Sequence, residues 1–318
     1  MIYMDLWQLI ERLKQLSDIF YTSGIEDVYT NSKIYEVLMS EQFGHKIING
    51  HAKTLDAVDV DGNLYEYKHF KLSSSNHTWT FNDFTDATIE KLYDVKEVYF
   101  AIINDAPIIH EVKEVYIVQG AEVAKYLENS TTNILNHRKM INISRHQIVN
   151  NMRYNVIRPN PVKVSNVLRD VFTVANEIEL VTGIRGILTS NKLWELLVSG
   201  ELGHRINPEQ RKHDACDQQG RTYEYKVTKK YSWKFQDISE NVLESYMQDE
   251  KIVLAVVDKK EFIVENVYIC DPKAIVTILK NKLSLLFEQR EVVRRLEATI
   301  NIGDVRNMID RGEAVCLR

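Results

Sequence analysis

Asp56-Ala57-Val58-Asp59-Val60-Asp61-Gly62-Asn63-Leu64-Tyr65-Glu66-Tyr67-Lys68 brings two well-spaced carboxylates and an ammonium into one short stretch. The chain repeats the pattern as Asp214-Ala215-Cys216-Asp217-Gln218-Gln219-Gly220-Arg221-Thr222-Tyr223-Glu224-Tyr225-Lys226. Asp at the first position of a tight turn with Gly at the fourth is type I chemistry, and a left-handed Gly completes a three-residue loop with a bulge. The stretch therefore predicts a β-hairpin with Val60, Asp61 and Gly62 in the loop and Asp59 paired with Asn63. Counting back along both strands puts Asp56 opposite Glu66, with Lys68 on their face and Tyr65 and Tyr67 on the other. In the second copy Asp217 and Gly220 bracket the turn, Asp214 faces Glu224, and Lys226 joins them. Carboxylates side by side repel unless a cation lies between them, and hard oxygen donors with room for water suit Mg²⁺. An ammonium at the edge of such a site can hold an attacking water and steady charge growing on a phosphate.

Asp56 followed by Glu66-Tyr67-Lys68, and Asp214 followed by Glu224-Tyr225-Lys226, resemble the motif of the PD-(D/E)XK nuclease superfamily. Type II restriction endonucleases of that superfamily hydrolyse DNA phosphodiesters with Mg²⁺. The resemblance implies that Asp56, Glu66, Asp214 and Glu224 are metal ligands and that Lys68 and Lys226 position water. The proline of the motif is Leu55 in the first copy and His213 in the second, at a position that varies within the family. The polar triads persist in both halves while neighbours such as Val58 and Cys216, or His69 and Val227, differ. That contrast separates the pair from a solvated hairpin with chance cross-strand charges.

The positioning elements come from a tandem duplication. At an offset of half the chain, Gly24 falls on Gly183, Lys33 on Lys192, Glu36 on Glu195, Gly44-His45 on Gly203-His204, and Ile141-Asn142-Ile143 on Ile300-Asn301-Ile302. The register slips before the hairpin and again before Trp79-Thr80-Phe81 meets Trp233-Lys234-Phe235, which marks loops of unequal length. Arg158-Pro159-Asn160-Pro161 is the best boundary, giving repeats of 1–158 and 159–318. Each half predicts an amphipathic helix (5–20; Val167 to Leu180), a second helix (32–42; 191–201), the hairpin, and a polar loop holding Trp79 or Trp233. A helix of about a dozen residues beginning at Asp83 or Asp237 comes next. Two strands follow (Val98–Ile103 and Val115–Val118; Ile252–Val257 and Val267–Cys270), then a further helix (Ala121–Leu127; Pro272–Leu285). The fold class is mixed α/β, and the resemblance implies two tandem αβββαβ cores, each a mixed sheet flanked by helices.

Glu36 and Glu195 lie in the second helices. They are either third acids reaching the metal, as helix glutamates often do in restriction enzymes of this kind, or exposed helix carboxylates. His45 and His204 follow Gly at the helix end and suit a structural role more than a phosphate contact. The Trp-x-Phe pairs suit core packing more than base stacking.

A composition of 44% hydrophobic and 27% charged residues in 318 is that of a globular protein long enough for two domains. No apolar run reaches the length of a membrane span and the N-terminus lacks a signal pattern, so a cytoplasmic protein is expected, prokaryotic if it is a restriction enzyme. Three cysteines without paired or zinc-like spacing read as reduced thiols. A net charge of −5 argues against a nonspecific nucleic-acid coat. The segment from Glu128 to Asp170 is nevertheless free of acid between its ends and holds Arg138, Lys139, Arg145, Arg153, Arg158, Lys163 and Arg169. A second basic cluster, with Arg221, Lys229, Lys230, Tyr231, Trp233 and Lys234, adjoins the second triad. Both read as DNA contacts in preference to solvated linkers.

The resemblance implies double-stranded DNA as partner, a monomer acting as a pseudo-dimer, and a double-strand break with 5′-phosphates. The stretches Ser144-Arg145-His146-Gln147 and Gly303-Asp304-Val305-Arg306-Asn307 hold residues of the sort that read base edges. A structure-specific, repair or homing nuclease, or a noncatalytic DNA-binding protein, are the competing readings.

Overall fold

The computed structural model describes residues 5–49, 55–106, 109–133, 139–160, 164–208, 213–289 and 296–318. The chain is mixed α/β and divides into two compact units, Met1–Glu177 and Ile178–Arg318.

Unit 1 begins with α1 (Leu6–Thr22), which buries Leu9, Ile10, Leu13, Leu16 and Phe20 at helical spacing, and α2 (Lys33–Phe43), closed by left-handed Gly44. Its six-stranded sheet has the order β1 (Lys46–Ile47), β2 (Ala57–Val58), β3 (Leu64–Lys71), β5 (Glu97–Ala106), β6 (Ile109–Gln119), β8 (Tyr154–Ile157). All neighbours are antiparallel except β3 and β5, which run parallel with Glu66 opposite Val98 and Lys68 opposite Phe100. A parallel neighbour requires a crossover, and here it contains α3 (Asp86–Leu92) together with β4 (Trp79–Phe84). β4 pairs with β7 (Lys139–Ile143) as a separate two-stranded ribbon. The ribbon, α3, α4 (Gly120–Thr131) and α5 (Arg145–Asn151) cover one face of the sheet through Trp79, Phe81, Phe100, Tyr116, Leu127 and Ile148.

Unit 2 repeats this order with α7 (Lys192–Leu202), β9 (Arg205–Ile206), β10 (Ala215–Cys216), β11 (Thr222–Thr228), β12 (Ser232–Phe235), α8 (Glu240–Tyr246), β13 (Lys251–Asp258), β14 (Ile263–Cys270), α9 (Pro272–Gln289), β15 (Ala298–Asn301), α10 (Ile302–Asp310) and β16 (Ala314–Cys316). The sheet order β9-β10-β11-β13-β14-β16 matches that of unit 1, β11 and β13 are the parallel pair, and β12–β15 is the second ribbon.

Trp79 and Trp233 lie on ribbon strands rather than in a polar loop, because Trp-x-Phe alternates with the strand period and both rings face inward. Each indole Nε1–H donates to a sheet carbonyl, that of Ala101 at 2.8 Å and of Ala255 at 3.0 Å. The crossover helices start later than Asp83 and Asp237 and run seven residues each, since Thr85 and Ser239 supply the caps. Ser144 and Asn301 likewise cap α5 and α10, so the two polar stretches thought to read bases are helix starts.

The division at Glu177–Ile178 falls inside α6 (Asn166–Thr182), beyond the proline-rich boundary. The first part of α6 belongs to unit 1: the Phe172 ring stacks on His110 at 4.2 Å and on Tyr35 at 6.1 Å, and Asp170 meets Arg12 at 3.5 Å. No helix among the described residues is long and apolar enough to cross a membrane.

Candidate active site

The hairpins form as their turn chemistry dictates. Gly62 N donates to Asp59 O at 3.2 Å, Asp59 N to Asn63 O at 3.1 Å, and Asp59 Oδ1 accepts from the Asp61 and Asn63 amides. Gly62 sits at φ 82° and Gly220 at φ 79°, where a side chain is strained. Asp217 repeats the pattern, accepting from the Gln219 and Arg221 amides. The registers Ala57↔Tyr65 and Ala215↔Tyr223 set Asp56 opposite Glu66 and Asp214 opposite Glu224.

Backbone and neighbours then fix the functional groups. Tyr67 N donates to Asp56 Oδ2 at 2.7 Å, and Tyr225 N to Asp214 Oδ2 at 3.0 Å, so each Asp is held across the strand pair. Lys68 Nζ is ion-paired with Glu66, and Lys226 Nζ with Glu224. Each ammonium also lies over a ring of the adjoining ribbon, Phe81 at 5.1 Å and Phe235 at 5.5 Å. The ribbon thus closes one side of the site, and its Trp-x-Phe strand belongs to the core as expected.

The helix glutamates face these triads. Burial pushes the Glu36 carboxyl up, against the opposing charges of Lys33 and Lys68, and Glu66 adds to the rise. Asp56 is pushed well above the ordinary carboxylate range by burial, then by Glu66 and Glu36. In unit 2, Glu195 is pushed up to about 7 by burial and by Asp214, and burial raises Glu224. Burial opposes the charge on Lys68, yet Glu66 and Asp56 hold it above its usual range; Lys226 is held the same way, chiefly by Glu224. Each site is therefore a crowd of desolvated acids steadied by lysines of the hairpin and of the helix.

Two features escaped sequence reasoning. Lys192 Nζ sits 2.6 Å from Glu195 Oε2 and 3.1 Å from Asp214 Oδ1. The match of Lys33 with Lys192, three residues before each helix glutamate, was the signal available for it. The second feature is Asp249, whose side chain is 1% exposed and whose Oδ1 lies 2.6 Å from His213 Nδ1, beside the second triad. Burial pushes its carboxyl up. Nothing in the spacing of the sequence points to that pairing.

His45 and His204 serve structure. Each follows a left-handed Gly, donates its amide to the helix end, and lays its ring on the hairpin tyrosines of the face opposite the triad.

The basic residues divide. Arg138 lies outside the described residues, and Lys139 is on β7 opposite Phe84. Arg145 is exposed at the start of α5, but its guanidinium is 3.7 Å from Glu114 and 5.3 Å over Tyr116. Arg158 also pairs with Glu114, at 3.1 Å, so one buried acid draws on two of the arginines. Lys229 and Lys230 are exposed just past β11.

The donors around each hairpin are all hard oxygen atoms, and burial together with neighbouring carboxylates raises Asp56, Glu36 and Glu195, a cost that a divalent cation would relieve. The set fits Mg²⁺. Among the described residues no three such donors already stand in coordinating geometry; lysines hold the carboxylates instead. Comparison of the sequence with models of known families and with curated proteins gives no match in either case.

Proposed function

We propose that the protein is an Mg²⁺-dependent, sequence-specific double-strand DNA endonuclease of the type II restriction kind, with one cutting site in each unit. The supporting observation is the doubled constellation: Asp56, Glu66, Lys68 and Glu36 around one hairpin, and Asp214, Glu224, Lys226 and Glu195 around the other.

In this reading Asp56 and Glu66, and Asp214 and Glu224, are the metal ligands, with the helix glutamates at hand as further oxygen donors. Mg²⁺ bound there would lower the pKa of a coordinated water and stabilise the leaving 3′ oxygen. Lys68 and Lys226, kept protonated by their carboxylate partners, orient the attacking water and neutralise charge on the phosphate. Lys229 and Lys230 offer exposed cations for the DNA backbone, and the products carry 5′-phosphates. One chain does the work of a dimer as a monomer in the cytoplasm of a prokaryote. Because the two units differ in side chains, the half-sites they read need not be identical.

The test is cleavage of plasmid DNA of diverse sequence in Mg²⁺, with Ca²⁺ as noncatalytic control. Discrete fragments that vanish in Ca²⁺ are the expected result. An intact plasmid in both ions, whether or not its bases are methylated, would overturn the proposal.

A further inference from the structure

The two constellations hold the same residue types but not the same ion pairs. In unit 2 one ammonium, that of Lys192, bridges the helix acid Glu195 and the hairpin acid Asp214, at 2.6 and 3.1 Å. Lys192 is buried, 7% exposed, and the contacts tie α7 to the hairpin. In unit 1 the corresponding Lys33 influences Glu36 electrostatically, but among the described residues it forms no ion pair with Glu36 or Asp56.

The backbone entering the two helices differs in step with this. Asn31 and Ser32 precede α2 at φ 53° and 62°, both left-handed. Asn191 precedes α7 at φ −81°, and Ser190 Oγ accepts from Lys192 N at 3.2 Å. The first helical turn, which carries the lysine, is thus set differently on the two sites.

We infer that Lys192 is a built-in competitor for the divalent cation of the second site, so that unit 2 takes up metal more weakly than unit 1. An ammonium in contact with two of the acids cancels part of the negative potential that attracts a dication, and it must swing aside before both acids can turn to the metal. The inference rests on the proposed metal sites. Its consequence is order: at limiting metal, the strand facing unit 1 is cut first and the strand facing unit 2 second.

The experiment is Mn²⁺ binding to the full-length protein without DNA, followed by calorimetry and by the electron paramagnetic resonance signal of free Mn²⁺. Wild type should show one tight and one weak class. Lys192→Met should tighten the weak class about tenfold or more, the effect of removing a contacting charge. Lys33→Met should leave that class unchanged. Lys192→Gln keeps a hydrogen-bond donor and serves if the methionine variant folds poorly. Two equal classes in wild type, or weaker binding in both Lys192 variants, would overturn the inference while leaving the nuclease reading intact. Tightened binding with no cleavage of any DNA would support the competitor role and sink the nuclease reading. Absence of Mn²⁺ binding in both units, in wild type and in both Lys192 variants alike, would sink both.

Discussion

His45 Nδ1 lies 2.7 Å from the Tyr67 hydroxyl, and His204 Nδ1 lies at the same distance from the hydroxyl of Tyr225. Burial holds both imidazoles below their ordinary pKa, so each neutral ring shares a hydrogen bond with a phenol. Tyr67 is the residue between Glu66 and Lys68, and the pair therefore braces the strand from the face opposite the acids. Tyr67→Phe and Tyr225→Phe should each cost about 1 kcal/mol, read from urea denaturation. No loss of stability would show that the brace carries no load.

The hairpin lysines separate two cutting sites from one. With two working sites, Lys68→Ala and Lys226→Ala should each slow cutting of one strand by about a hundredfold or more and accumulate nicked circles from supercoiled plasmid. If one variant is dead and the other behaves as wild type, a single unit does all the cutting.

Glycine replacements should divide by mechanism. An added Cβ at Gly62 or Gly220 meets nothing within 4 Å, so Gly62→Ala and Gly220→Ala should cost only the left-handed backbone, about 1 kcal/mol each. At Gly120 the same atom would lie 2.2 Å from Val95 O and 2.4 Å from Leu92 O, both backbone. Gly120→Ala should be the most damaging of the three, and denaturation midpoints that rank the variants otherwise would refute the distinction.

Two half-buried histidines set an acid limit. His69 and His110 are pushed down to about 4, chiefly by burial, so the folded chain binds fewer protons than the unfolded one between about pH 4 and 6.5. Their stabilisation is present above pH 6.5 and is lost as the pH falls toward 4, of the order of 1–3 kcal/mol for each ring at most. Glu195 has the opposite sign: raised to about 7, it favours the folded chain at low pH and loses that contribution as the pH rises through 7. The difference between wild type and His69→Gln or His110→Asn isolates the imidazoles. Wild type should lose more stability than either variant on going from pH 7 to pH 5, as measured by denaturant midpoints at both values.

Much of this site was legible because it is local. Turn type, register and facing of Asp56, Glu66 and Lys68 follow from a loop of three residues and a strand period of two, and the hairpins obey both. The two ribbons were not legible as strands, although Trp79-Thr80-Phe81 alternates. The partner of β4 is Lys139–Ile143, far along the chain, and nothing local announces such a pairing. Glu36 could be placed on its helix but not aimed, since an exposed and an inward carboxylate look alike in sequence. The bridge made by Lys192 was beyond reach for a similar reason: it depends on how the chain enters α7, while Lys33 carries the same letter in the other unit. Arg145 and Arg158 read as open cations because Glu114, which draws on both, sits on β6, far from either in sequence.

The repeat in the sequence and the compact units do not share a seam. α6 opens the second repeat in sequence, yet Asp170 and Phe172 serve the first unit through Arg12, Tyr35 and His110. Severing the chain at the repeat boundary would therefore uncover His110 and Tyr35, on which the Phe172 ring lies, and leave Arg12 without Asp170.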